Sequence, residues 1–132
     1  MGMTALNGVG IWIDHQQAVV VFASGDRVTT RTVKSKVEAH PHFAGSQVGG
    51  GEKKYEERFD HQLNHFYDDV IGQFGHPDAV LILGPGEAKQ QLATRIGRVP
   101  ALAKASVSVE ATDTLTEPQL IARVKKHFEL KR

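Results

Sequence analysis

Tyr55, Phe59, Leu63, Phe66, Tyr67, Val70, Ile71 and Phe74 recur at spacings of three and four, and past Gly75 and Pro77 the chain becomes an unbroken apolar run, Ala79 to Leu83. The first pattern is one wide face of a helix. The second is short and bounded by turn residues, which marks a central strand covered on both faces. Together they restrict the fold sharply, because the helix must lie on a sheet and the sheet must be covered on its other side as well. Gly84-Pro85-Gly86 then turns the strand into a second helix, Glu87 to Ile96, closed by Gly97.

The remaining segments supply the other elements. Gly8 to Asp14 and Gln17 to Ser24 are rich in Val, Ile, Trp and Phe around His15-Gln16, the pattern of a β-hairpin. Arg27 to Glu38 alternates Val and Thr with charged residues, as a third, antiparallel strand with one wet face does. Ala39 to Glu52 holds two His, a Pro, four Gly and a Ser and reads as a loop. Ser106 to Ala111 is a last strand, and Thr116-Glu117-Pro118-Gln119 opens a helix that turns Leu120, Ile121, Val124 and Phe128 inward. The order βββ-α-β-α-β-α predicts a single α/β domain over residues 1–132, a mixed sheet of the ribonuclease H-like kind with helices packed on it.

Several function classes are set aside by composition. The 132 residues include no cysteine, which removes disulfides, thiolate metal sites and cysteine nucleophiles and fits a reducing cytoplasm. Met1 to Gly10 lacks a basic region followed by an apolar run, so no secretory signal is expected, and no segment approaches a membrane span. With seven histidines neutral the net charge is +1, so any contact with nucleic acid must come from a local patch.

Gly49-Gly50-Gly51, Arg58-Phe59 in the following helix, and Val80-Leu81-Ile82-Leu83-Gly84-Pro85-Gly86 with Lys89 carry a resemblance. In these residues, and in element order, the chain is similar to the middle domain of the archaeal and eukaryotic class-1 release factor and Pelota group, and to compact single-domain bacterial relatives. The resemblance implies a fold shared with translation machinery and an association with the ribosome or RNA. Release factors carry Gly-Gly-Gln in the glycine loop, with a glutamine that reaches the peptidyl-transferase centre. Here Gly51 or Glu52 stands at that place, and six residues, Glu52 to Glu57, separate the glycines from Arg58-Phe59. Peptidyl-tRNA hydrolysis is therefore not expected of this chain.

Candidate sites follow from spacing. Lys54, Arg58, His61 and His65 lie on one stripe opposite the apolar face of their helix, where cations can meet phosphates; Glu57, Asp68 and Asp69 nearby make a plain solvated face the competing reading. His61 and His65 also have metal-ligand spacing, with His40 and His42 in the loop before, but Gln62 stands where a zinc hydrolase needs Glu, and no metal is expected. Gly84, Gly86 and Lys89 before a helix form a weak anion-binding candidate, against a turn that needs glycine for itself. Asp14, Asp78, Asp113 and Glu117 would be the acids of a metal-dependent nuclease if they converged.

The reading is of a non-catalytic ribosome- or RNA-associated factor without cofactor. Gly49, Gly50 and Gly51 in the 39–52 loop would probe, and Lys54, Arg58, His61 and His65 would anchor. The alternatives are a protein-interaction or small-anion-binding module and, less favoured, a metal-dependent nuclease or hydrolase.

Overall fold

Strand β1 (Asn7–Ile13) carries apolar side chains toward both faces and is buried from Gly8 onward, so it can only be an interior strand. A computed structural model describes residues 7–24, 27–35 and 51–129, apart from the side chains of 24, 51–60 and 129. β1 pairs antiparallel with β2 (Gln17–Ser24), which pairs antiparallel with β3 (Arg27–Lys34). On its other side β1 runs parallel to β4 (Ala79–Gly84), and β4 runs parallel to β5 (Ser106–Ala111). The sheet order is β3-β2-β1-β4-β5, with a meander on one half and parallel strands on the other. This is the expected ribonuclease H-like arrangement. β4 is buried at all six positions, as its continuous apolar run requires.

Helices α1 (Gly51–Gly72) and α2 (Ala88–Ile96) cover one face and α3 (Glu117–Glu129) covers the other. Alternation along the strands divides the core. Val9, Ile11, Ile13, Val80 and Ile82 meet Leu63, Phe66, Val70 and Leu92 on the first face, and Trp12, Val21, Leu81 and Leu83 meet Leu120, Val124 and Phe128 on the second. α3 begins with the expected reciprocal cap: the Gln119 amide donates to Thr116 Oγ1 at 3.2 Å and the Thr116 amide to Gln119 Oε1 at 2.9 Å.

Some boundaries differ from the sequence expectation. α1 begins at Gly51 rather than near Tyr55, so Gly51 and Glu52 belong to the helix and not to the loop. α1 ends at Gly72, and Phe74 enters the core from a turn in which its amide donates to Ile71 O at 3.0 Å. Residues 36–38 of the expected third strand and 36–50 generally lie outside the described residues. Pro100–Leu102 forms an unexpected short 3-10 helix that buries Leu102.

Candidate functional site

The candidate residues Gly84, Gly86 and Lys89 follow the end of the sheet where β1 and β4 finish side by side. Parallel pairing carries Trp12 opposite Leu83, so the β1–β2 hairpin at Asp14 and the Gly84-Pro85-Gly86 turn emerge together. β3 also ends here, because two antiparallel pairings return it to the direction of β1. The open ends of parallel strands are where α/β sheets place their ligands.

Gly84 shows why the turn needs glycine. Its φ is +149°, and a Cβ there would stand 2.2 Å from the Ile13 carbonyl oxygen, so both backbone conformation and space exclude a side chain. The close approach knits β4 to β1 at the rim. On the other side the Thr112 amide donates to Gly84 O at 3.1 Å, tying in the end of β5. Asp14 closes the hairpin by accepting from the Gln16 and Gln17 amides, each at 2.8 Å, which is the work of a turn residue. Trp12 Nε1 donates to Asp113 O at 3.0 Å and anchors the segment after β5.

Lys89 does not project from the turn. It lies on the buried side of α2 with Ala88, Leu92 and Ile96, is only 8% exposed, and its ammonium donates to Gly86 O. An anion at Gly84 and Gly86 would have to draw Nζ away from that carbonyl. The signal was in the spacing, since Lys89 precedes Leu92 by three residues and Ile96 by seven. The carboxylates of the nuclease alternative are divided between the two ends of the sheet. Asp14 is at the Gly84 end, whereas Asp78 is at the opposite end, where its Oδ2 accepts from the Asn7 amide at 3.0 Å and its carbonyl from the Ser106 amide at 3.0 Å. Among the described residues no three His, Asp or Glu gather as a metal site.

α1 reaches the same end of the chain fold. Its 22 residues measure about 33 Å, against about 26 Å for the longest strands it packs on. The described side chains that enter the core begin at Leu63, and Tyr67 donates to Gln91 of α2. His61 and His65 are exposed on the face opposite Leu63, Phe66 and Val70, as the spacing predicts. Lys54 and Arg58 lie on the α1 backbone in register with them, but their side chains lie outside the described residues, as do His40, His42, Gly49 and Gly50 altogether. Farther along, the stripe turns acidic. His65 Nδ1 stands 3.6 Å from Asp69, and Asp68 takes a two-point contact from Arg95 of α2, 2.8 Å from both Nε and Nη2, which raises the Arg95 pKa above its ordinary value.

No family profile and no curated protein matches the chain. Solved structures do. Pelota of Thermoplasma acidophilum superposes with a TM-score of 0.59 at 14% identity, over 97% of this chain and 35% of its own. Archaeoglobus fulgidus Pelota gives 0.59 at 16% identity, over 95% and 32%. The archaeal translation termination factor aRF1 gives 0.52 at 16% identity, over 92% and 34%. The chain thus spans about a third of the length of these proteins, and identities this low speak for fold alone. The sheet order, the faces covered by α1, α2 and α3, and these superpositions together make the chain a Pelota/aRF1-like domain in fold.

Proposed function

We propose that the chain is a translation-related factor that associates with the ribosome or its RNA, in the cytoplasm, without catalysing hydrolysis. The observation that carries this is the extent of the likeness: 92–97% of the chain follows the fold of Pelota and of an archaeal translation termination factor. The contact would be made by the N-terminal turns of α1. By helical register Lys54 and Arg58 share a stripe with His61 and His65, which are exposed, and Gly49, Gly50 and Gly51 precede it in sequence. Cations along one stripe of a helix suit phosphates, and such contact weakens as salt rises. The missing Gly-Gly-Gln glutamine supports association without peptide release.

Sedimentation of the purified protein with ribosomes through sucrose, at low and moderate salt, tests the reading. The protein is expected to travel with ribosomal particles at low salt and less so at moderate salt. Lys54→Glu with Arg58→Glu should return it to the top of the gradient. Protein that stays at the top even at low salt would overturn the function, and a double variant that still sediments would overturn the anchor.

A further inference from the structure

The two edges of the sheet are treated differently by the sequence. β3 carries Arg27, Arg31 and Lys34 at exposed positions, the charged guard that discourages edge pairing. β5, Ser-Val-Ser-Val-Glu-Ala, has no lysine, arginine or proline, and its one charge, Glu110, is taken by Arg123 of α3. Val107 and Val109 are 38% and 37% exposed, the large apolar side chains left most open among the described residues.

The backbone of β5 is open in a definite pattern. The Ser106 amide donates to Asp78 O at 3.0 Å and the Thr112 amide to Gly84 O at 3.1 Å, so even-numbered residues face β4. In a parallel ladder a residue turns its N–H and C=O to the same side, which leaves those of Val107, Val109 and Ala111 pointing outward. The same residues with open backbone groups thus carry the open apolar side chains.

We propose that this edge is where two copies of the chain meet, β5 against β5, antiparallel about a two-fold axis at Ser108. That register seats Val107 on the partner's Val109 and, by symmetry, Val109 on the partner's Val107, closing two reciprocal hydrogen-bonded pairs and joining the sheets. Both valines project to the face of α2, since β4 places Val80 and Ile82 beside them in register, so the four form one apolar strip across the seam. Charge selects this orientation and this occupant. Exposed Lys104 lies just ahead of the strand and exposed Asp113 just behind it. Antiparallel pairing brings each Lys104 toward the partner's Asp113, whereas parallel pairing would set like charges together. A seam of one short strand is small, so the dimer is weak and depends on concentration.

Sedimentation velocity over a wide range of protein concentration tests this, with thermal unfolding followed in parallel to show that each variant is folded. The unaltered chain should pass from monomer to dimer. Val109→Lys should remain monomeric where the unaltered chain is half dimeric. Lys104→Glu, on an exposed turn, should weaken the dimer about fivefold, and Lys104→Glu with Asp113→Lys should restore it. A chain monomeric throughout, or a dimer that neither Val109→Lys nor Lys104→Glu weakens, would overturn the proposal.

Discussion

The two faces of the sheet are filled in opposite ways. On the first, two helices, α1 and α2, share the covering and large side chains fill the layer, with Leu63, Phe66, Tyr67, Val70 and Leu92 against Val9, Ile11, Val80 and Ile82. On the second, one helix does the covering, and it comes close to do so. A Cβ on Gly10 would lie 2.2 Å from Val124 Cγ2, and one on Gly8 would lie 2.7 Å from the Phe128 ring. A face served by one helix must bring that helix down onto the backbone of the central strand, and glycine in β1 makes the room. The first face is thus sensitive to removing atoms and the second to adding them.

The largest effect is expected on the first face. Leu92 is fully buried between α2 and the sheet, so Leu92→Ala should lower the free energy of unfolding by about 3 kcal/mol, the usual cost of a leucine-sized cavity, read from chemical denaturation. A loss below about 1 kcal/mol would mean that α2 relaxes into the space left, and the contrast would fail.

Gly10→Ala should cost about 2 kcal/mol by overpacking. Val124 is a short β-branched side chain on a helix, with one favoured rotamer, and cannot swing aside. The sharper test is the pair. With Val124→Ala the new methyl group gains space, so the double variant should lose less than the sum of the two single losses. Strict additivity would show that α3 is not resting on Gly10.

How much of this was legible beforehand depends on which interactions set each feature. The bounds of β2 and β5 and the helical face of Leu63, Phe66 and Val70 follow from local periodicity, and the structure agrees with them. Thr116 and Gln119 form their cap because all its partners lie within four residues. The missed features depend on distant partners. Gly8 and Gly10 read as ordinary strand residues until α3, more than a hundred residues later, lies across them. The Pro100–Leu102 turn exists to bury Leu102 against the first face. In the site, the outward placement of His61 and His65 was legible from helical phase. The inward turn of Lys89 was legible in phase too, but a lysine is ordinarily read as surface.

The smallest effect separates the polar ties of the first face from its packing. Arg95 and Asp68 join α2 to α1 by two contacts of 2.8 Å, yet their side chains are 27% and 56% exposed, so water competes for both partners. Fork geometry favours the pair, while solvent and side-chain entropy offset most of the gain. Arg95→Ala should therefore cost about 0.5 kcal/mol at low ionic strength and less in high salt. Asp68→Asn, which keeps the shape and removes the charge, should show the same salt dependence. A loss comparable to that of Leu92→Ala, or one indifferent to salt, would mean that the contact orients α1 on α2 rather than merely decorating a packed seam. The first face would then owe its spacing to a polar clamp, and its contrast with the glycine-seated second face would need to be redrawn.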